Sequence, residues 1–251
     1  MSGGTAVTGP DRLSLTVLGC DGSYPGPGGA GSGFLVQFGS TSVWVDAGPG
    51  TLANLQRAIS LEQIDAVIVS HEHVDHWSDL EHLAVACHYI LDRPPVPLYC
   101  EKDLRSLMRV GAATAALAWS PIGPDVRLDV GGMSFSFDRT DHSVPTLAVR
   151  VDAGGRSLGY SADSGPGWGL DGLGAGLDLA LCEATYLFDR EDSLSHLSAR
   201  QAGTRARAAG VGRLLLTHVW ARVDHQAART EGAEAFGRPV ELAEMGRRYE
   251  V

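Results

Sequence analysis

The sequence predicts an α/β fold in which two β-sheets pack face to face and helices cover their outer sides. Three observations lead to this prediction. Short apolar runs alternate with helical patterns, both halves of the chain show this alternation, and neither a linker nor a short-period repeat interrupts it. The 251 residues, 44% of them hydrophobic, are enough for one large core. We therefore expect a single domain over residues 1–251, with residues 1–11 as a flexible tail.

Apolar spacing defines the elements of the first half. Residues 13–19 alternate as a half-buried strand does, and the glycine-rich residues 21–33 that follow form a loop. Residues 66–69 are a continuous apolar run, which is typical of a strand buried on both faces. The pattern predicts strands at 13–19, 34–38, 42–45, 66–69 and 97–100, and helices at 51–60, 78–91 and 101–117.

The second half repeats the alternation of strands and helices. Ser198 is a suitable N-cap for a helix, because its side-chain oxygen can accept a hydrogen bond from a free backbone N–H of the first turn. The pattern predicts strands at 133–139, 146–151, 157–161, 177–182, 214–216 and 247–251, and helices at 198–209 and 224–236.

Charge and cysteine content limit the classes of function. The formal net charge is -10, which repels a long nucleic acid but not a small anionic substrate that binds beside metal cations. The four cysteines show no C-x-x-C spacing and are expected to be free thiols. No apolar segment reaches membrane-spanning length and no leader pattern opens the chain, so we expect a cytoplasmic protein without a membrane partner.

One six-residue segment concentrates metal-ligating side chains directly after the buried run at 66–69. Imidazole and carboxylate groups together suit zinc, manganese or iron. Histidine is rare in this chain, with 9 in 251 residues, so three within six positions indicate a metal site rather than a polar turn. The segment is His71, Glu72, His73, Val74, Asp75 and His76.

Three more candidate ligands follow other predicted strands. His142 comes after the strand that ends at residue 139, Asp163 after the strand 157–161, and His218 after the strand 214–216. Each alone is more readily a structural hydrogen-bonding group than a metal ligand. Because strand ends can converge on one edge of packed sheets, we expect all three to meet the first segment.

This ordered set of residues resembles the metallo-β-lactamase superfamily of hydrolases. The resemblance implies a four-layer αβ/βα sandwich that binds two divalent metal ions, with zinc as the first candidate and manganese or iron as alternatives. It also implies the metal ligands: His71, His73 and His142 for one ion, Asp75, His76 and His218 for the other, and Asp163 between them. Asp46 matches the family's strand-end aspartate, which orients a ligand imidazole; a simple turn-forming role is the alternative.

A later segment narrows the branch of the family. Residues 181–186 and 195–203 are similar to the segment of ribonuclease Z-like enzymes in which a histidine precedes a capped helix. The resemblance implies that His196 contacts the phosphate and acts as general acid; a surface or helix-capping histidine is the alternative. His196 and Asp75 are the catalytic candidates.

The chain departs from ribonuclease Z in one respect. Only 20 residues separate His142 from Asp163, where ribonuclease Z carries a long arm that grips transfer RNA. The compact form looks more like the small cyclic-nucleotide phosphodiesterases, so we expect a small phosphodiester as substrate. A lactone or thioester hydrolase is the alternative, and a binding module that has lost catalysis is a third hypothesis. A homodimer is a candidate assembly, and residues 22–33 could cover the site with Tyr24 or Trp77 against a base.

Overall fold

Two seven-stranded sheets form the framework of the computed structural model, which describes residues 12–191, 193 and 195–251. The first sheet contains β1 (Ser14–Gly19), β2 (Gly33–Phe38), β3 (Thr41–Ala47), β4 (Ala66–Ile68), β5 (Val96–Cys100) and β6 (Leu117–Pro121). The second contains β7 (Arg127–Val130), β8 (Met133–Arg139), β9 (Leu147–Ala153), β10 (Arg156–Tyr160), β11 (Leu179–Glu183), β12 (Arg213–Thr217) and β13 (Glu241–Leu242). The last strand, β14 (Arg248–Glu250), returns to the first sheet beside β1. The tail expected at residues 1–11 lies outside the described residues.

Both sheets combine an antiparallel half with a parallel half. The first has the order β14-β1-β2-β3-β4-β5-β6 and becomes parallel from β3 onward. The second has the order β13-β12-β11-β10-β9-β8-β7 and is parallel from β10 to β13. Loops that leave the carboxyl ends of parallel strands emerge at the same edge of a sheet, which is where ligands bind in α/β folds.

Alternating side chains on the strands fill two kinds of core. In β2, Phe34 and Val36 belong to the apolar layer between the sheets, whereas Leu35 belongs to the layer beneath the helices. In β3, Val45 and Trp44 divide between the two layers in the same way. Side chains two residues apart point to one face of a strand, so this alternation buries both faces of the sheet.

In the described part of the chain, four α-helices cover the outer faces. They are α1 (Thr51–Ala58), α2 (Leu80–Tyr89), α3 (Ala199–Ala208) and α4 (His225–Phe236). The first two pack on the first sheet and the last two on the second, which makes a four-layer αβ/βα sandwich. Helix α3 begins as predicted, since Ser198 accepts a hydrogen bond from Gln201 N and the Gln201 side chain accepts one from Ser198 N.

All four cysteines carry free thiols, as expected. Within the described part of the chain, no helix has both the length and the apolar character needed to cross a bilayer.

The helix predicted at residues 101–117 is wrong. Two short 3-10 turns, Leu104–Ser106 and Gly111–Ala116, replace it, and β6 starts at Leu117. Asp103 stabilises the first turn by accepting hydrogen bonds from the backbone and guanidinium of Arg105. Gly111 takes a φ of 57°, in the left-handed region, which interrupts a right-handed helix. The parallel pairing of Leu117 with Val96 then extends the sheet, so tertiary pairing overrides the local helical pattern.

Strands β7 and β13 are not predicted by the sequence pattern either. Arg127 and Asp129 of β7 are exposed, so the strand lacks a continuous apolar run. Strand β13 has only two residues and pairs with β12. Edge strands are often short and charged, which weakens the pattern that reveals them.

Candidate metal centre

The strand ends deliver polar side chains to one edge of the two sheets. Strand β4 leads through Ser70 into the segment 71–76, whose last three residues form a short 3-10 turn. That turn directs neighbouring side chains to different sides, which a regular strand or helix could not do. His142 follows β8, Asp163 follows β10 and His218 follows β12, all on the second sheet.

The first group of side chains surrounds His73. The Nδ1 atom of His73 lies 3.1 Å from His71 Nε2 and 3.2 Å from His142 Nε2. Asp163 Oδ2 lies 3.6 Å from His71 Nε2 and 3.7 Å from His142 Nε2. Four donor atoms therefore point at a common space of the size that one cation occupies.

The second group lies on the other side of Asp163. The Nε2 atom of His76 is 3.5 Å from Asp75 Oδ2 and 3.2 Å from Asp163 Oδ1. The Nε2 atom of His218 is 3.4 Å from Asp75 Oδ2 and 3.5 Å from Asp163 Oδ1. Each oxygen of Asp163 thus faces one group, which is the arrangement of a bridging carboxylate.

Two buried atoms show that cations fit this space. Among the described residues, His76 Nε2 and Asp163 Oδ1 are buried and make no hydrogen bond, because the 3.2 Å between them is not in hydrogen-bond geometry. Buried polar atoms without a partner are costly, and a divalent cation would satisfy both. Imidazole nitrogens and carboxylate oxygens are also the donors that zinc, manganese and iron accept.

The outer nitrogens of the imidazoles are held by neighbouring oxygens. His71 Nδ1 lies 3.0 Å from Ser70 Oγ, and His142 Nδ1 lies 2.9 Å from the carbonyl oxygen of Ser195. His218 Nδ1 lies 2.9 Å from Thr185 Oγ1. These contacts fix the rings with Nε2 directed at the shared space, as the partners of metal-binding histidines do.

Asp46 is the centre of a buried hydrogen-bond network below His76. Its Oδ2 lies 2.7 Å from His76 Nδ1 and accepts hydrogen bonds from Tyr160 Oη at 2.7 Å and Ser70 Oγ at 2.9 Å. Its Oδ1 accepts a hydrogen bond from Ser70 N. This geometry supports the orienting role rather than a simple turn. A proton on His76 Nδ1 leaves the lone pair on Nε2, and that nitrogen faces the cluster.

Buried charges give this region its electrostatic character. Burial lowers the pKa of His71 well below its ordinary value, and the neighbouring imidazoles lower it further. Burial raises the pKa of Asp163, but the imidazoles of His218, His76 and His71 outweigh that effect and hold the pKa well below its usual range. Burial lowers the pKa of His76, yet Asp163 and Asp46 raise it well above its ordinary value. Asp163 is therefore ionised and His76 positively charged beside it, whereas burial favours the neutral form of His71.

His196 lies at the rim of the cluster, in front of α3. Its ring stacks on that of His218 with centroids 5.3 Å apart, and its Nδ1 lies 4.0 Å from Asp163 Oδ2. The same Nδ1 lies 3.1 Å from Glu183 Oε1. Burial lowers the pKa of His196, but the charge of Glu183 and its hydrogen bond outweigh burial and raise the pKa to about 9.

Two glycines, one in the glycine-rich loop and one directly after β3, bring their backbone close to the cluster. A Cβ on Gly22 would lie less than 3 Å from the carbonyl oxygen of His218, and one on Gly48 would lie equally close to that of Asp75. Only glycine permits these backbone approaches. The expectation that Trp77 packs against a base is wrong. Trp77 is only 8% exposed and donates its indole N–H to Glu72 O, so it does not offer a face to a base. Tyr24 stays 49% exposed.

Sequence reasoning missed the residues that support the candidate ligands. Glu183 is fully buried and accepts hydrogen bonds from Ser164 N, Leu197 N and Thr185 Oγ1 in addition to its contact with His196. Its signal was a carboxylate that ends a run of buried apolar residues, LALC. Tyr160 and Ser70 gave no comparable signal, because their partner Asp46 lies far away in the sequence.

Comparison with known proteins agrees with this architecture. Residues 41–219 match the Beta-lactamase superfamily domain. The probable metallo-hydrolase YhfI of Bacillus subtilis (strain 168) is 31% identical over 242 residues, 93% of this chain and 98% of YhfI. Its crystal structure has a TM-score of 0.88 and covers 96% of this chain and 100% of its own.

Two further relatives carry more specific names. Ribonuclease Z of Mycobacterium bovis (strain BCG / Pasteur 1173P2) is 28% identical over 276 residues, 95% of each chain. The crystal structure of a diphosphatase from the PhnP family is 19% identical, has a TM-score of 0.77, and covers 96% of this chain and 98% of its own; it supports the fold. The domain match and the identity to YhfI over nearly the whole length show that this chain belongs to the metallo-β-lactamase superfamily of hydrolases.

Proposed function

We propose that the protein is a phosphodiesterase that binds two divalent metal ions, zinc first among them, and hydrolyses a small phosphodiester such as a cyclic nucleotide. One observation carries the proposal: the Nδ1 of His196, at the rim of the cluster and 4.0 Å from the bridging candidate Asp163, is held by the buried carboxylate of Glu183, which leaves Nε2 for the leaving oxygen. Hydrolysis of a phosphodiester needs a proton for the leaving oxygen, and a protonated imidazole at this position can supply it.

The proposed ligands divide into the two groups that share Asp163. We assign His71, His73 and His142 to one ion and Asp75, His76 and His218 to the other. Cations held by these residues would lower the pKa of a bound water and neutralise charge on the phosphoryl oxygens. Asp75 keeps 11% of its side chain exposed, against 3% for Asp163, so we assign to it the orientation of the incoming water.

His196 acts as general acid through its second nitrogen. Glu183 accepts the hydrogen on Nδ1 and keeps the ring cationic, which leaves the proton on Nε2 for transfer. The leaving alkoxide receives that proton as the P–O bond breaks, and the neutral imidazole remains hydrogen-bonded to Glu183. A thioester hydrolase would have less need of such a proton donor, because a thiolate leaves more readily than an alkoxide.

A small substrate fits the charge and the size of the chain. The net charge of -10 disfavours a polyanion. The segment between His142 and Asp163 is occupied by β9, β10 and their short connections, so it offers no arm for a large RNA. The relatives named ribonuclease Z and diphosphatase point to phosphate-containing substrates, and the compact build points to a small one.

The first experiment combines metal analysis with an activity screen. Purified protein is expected to hold two equivalents of metal and to hydrolyse bis(p-nitrophenyl) phosphate and cyclic nucleotides faster than a panel of lactones and thioesters. Preference for the lactones or thioesters would overturn the phosphodiesterase proposal while leaving the metal site intact.

Replacement of the proposed acid gives the sharper test. His196→Ala is expected to lower kcat for cyclic nucleotides by roughly 10²- to 10⁴-fold with the metal content unchanged, because the leaving alkoxide loses its proton donor. His225→Ala, at an exposed histidine at the start of α4, is the matched control and should keep wild-type activity. Unchanged turnover in His196→Ala would remove the general-acid role.

A further inference from the structure

A groove lies beside His196 and His218 on the surface. We call it the Tyr24–Trp220 groove and define it by six of the residues that line it: Ser23, Tyr24, Leu187, Arg190, Trp220 and Arg222. Its volume is about 450 Å³, within the usual range for small-molecule sites.

The groove adjoins the candidate metal centre, because Ser23 and Tyr186, which line it, contact His218 and His196. Ser23 N lies 3.3 Å from His218 Nε2, and Ser23 Oγ accepts a hydrogen bond of 3.0 Å from the indole of Trp220. Tyr186, which also lines the groove, donates its hydroxyl to the carbonyl oxygen of His196 at 2.7 Å. A ligand with one end at the cluster therefore reaches the groove with the other.

The surface of the groove combines flat rings with hydrogen-bonding groups. Tyr24 is 49% exposed, and the Arg190 guanidinium lies over the Trp220 ring, 5.2 Å from its centroid. Aromatic rings and guanidinium planes are the surfaces on which proteins stack nucleobases. Two arginines and two aspartates line the groove, and Asp224 is already engaged as the N-cap of α4. This mixture suits the edge of a base better than an alkyl chain.

The cavity on the opposite side of the cluster has a different character. It is about 220 Å³ and is lined by His71, Glu72, Cys100, Glu101, Lys102, Leu104 and Pro145. Lys102 pairs with Glu72 there, so the charges at its mouth satisfy each other. Apart from His71 itself, none of these lining residues offers an aromatic ring.

We propose that the Tyr24–Trp220 groove binds the base of a nucleoside phosphodiester while the phosphate lies at the cluster. The proposal rests on the proposed phosphodiesterase function and adds to it the site that holds the base. The base stacks against the Tyr24 ring and the Arg190–Trp220 pair, and His196 stands between the groove and Asp163.

Two substrates with the same leaving group test the groove. They are the p-nitrophenyl esters of thymidine 5'-monophosphate and of methyl phosphate, which differ only in the retained group. Trp220→Ala and Tyr24→Ala are each expected to raise KM for the thymidine ester about tenfold, since stacking of a base is worth roughly 1–3 kcal/mol. KM for the methyl ester should stay within twofold, and Tyr24→Phe should retain the wild-type KM for both.

Control variants and a binding measurement separate the outcomes. Tyr89→Ala, at an exposed tyrosine on α2, should leave both KM values unchanged. Calorimetric titration with thymidine 5'-monophosphate and with methyl phosphate measures the groove without turnover, and Trp220→Ala should weaken only the nucleotide. Absence of hydrolysis with nucleotide binding intact would overturn the phosphodiesterase proposal alone. Equal KM values for both esters, or equal binding of both phosphates, would overturn the groove proposal.

Discussion

Two histidines near the cluster obtain their chemical roles from a carboxylate that contacts one of their ring nitrogens. Asp46 contacts Nδ1 of His76, and Glu183 contacts Nδ1 of His196. The contact with Asp46 leaves Nε2 of His76 facing the candidate metal space, whereas the contact with Glu183 keeps His196 a proton donor at the rim. The same pairing of imidazole and carboxylate therefore serves two roles, and position relative to Asp163 separates them.

At the residue scale, Asp46→Asn is expected to weaken metal binding about 10- to 100-fold, because an amide accepts the His76 proton less strongly and its NH₂ group opposes a donor. Chelator competition measures the metal affinity. Asp178→Asn is the matched control, since Asp178 accepts hydrogen bonds from Ser157 far from the cluster. Equal affinity in Asp46→Asn and wild type would show that Asp46 does not tune the site.

Glu183→Gln is expected to move the pH profile of turnover. Glu183 raises the pKa of His196 to about 9, so the acid form persists up to that pH and is lost above it. Without the carboxylate charge the pKa falls, and the alkaline limb of kcat should shift to lower pH. A limb that stays in place would assign it to another group.

Glu183→Gln also tests how much stability the protein loses when an amide replaces a buried carboxylate that accepts hydrogen bonds. The two Glu183 oxygens together accept four hydrogen bonds, so one NH₂ group in their place leaves buried donors opposed. The expected loss in the free energy of unfolding is about 1–3 kcal/mol. Thermal unfolding of the wild type and of Glu183→Gln, compared side by side, measures it.

At the scale of elements, helix packing places α3 directly behind His196. Helices α3 and α4 approach closely where Gly203 faces Gly232. A Cβ on Gly203 would lie less than 3 Å from the backbone oxygen of Gly232, whereas one on Gly232 would meet the movable end of Leu216. An added methyl group should therefore be harder to accommodate at Gly203 than at Gly232, although both glycines lie within buried helix surfaces.

Gly203→Ala is expected to destabilise the protein, even though alanine is the better helix former by about 1 kcal/mol. The helices must separate to admit the methyl group, and tight cores resist that. Gly232→Ala is the control, for which propensity and a small side-chain shift nearly offset each other. Thermal melts of both variants decide, and a higher Tm for Gly203→Ala would contradict the packing argument.

At the scale of the whole molecule, the candidate metal centre joins the two sheets. The segment 71–76 follows a strand of the first sheet, and His142, Asp163 and His218 follow strands of the second. Because the candidate ligands come from both sheets, a bound metal ion would link the two halves of the sandwich. We therefore expect stability to depend on metal content.

Removal of metal is expected to lower Tm by about 5 to 10 °C. A ligand at 100 times its Kd adds about 2.7 kcal/mol to the free energy of unfolding, and 1 kcal/mol corresponds to about 2–4 °C at this size. Differential scanning calorimetry with and without a chelator measures the shift, and added zinc should reverse it. His73→Ala should bind less metal and respond less to the chelator, while His225→Ala should respond like the wild type.

The sequence by itself determined the class of fold and the candidate ligands. Alternating apolar residues mark strands such as β2, and the spacing of His71, His73, Asp75 and His76 marks metal chemistry, because both signals are local. Distant candidates such as Asp163 were predicted because strand ends converge in α/β folds.

The tertiary structure decided what depends on contacts between distant segments. The pairing of Leu117 with Val96 replaced a predicted helix with β6. The contact of Tyr160 with Asp46 spans 114 positions, and that of Glu183 with His196 depends on the fold of the loop before α3. The Tyr24–Trp220 groove likewise forms from segments nearly 200 positions apart. Local patterns report burial and periodicity, whereas such partners are chosen by packing, which no single segment encodes.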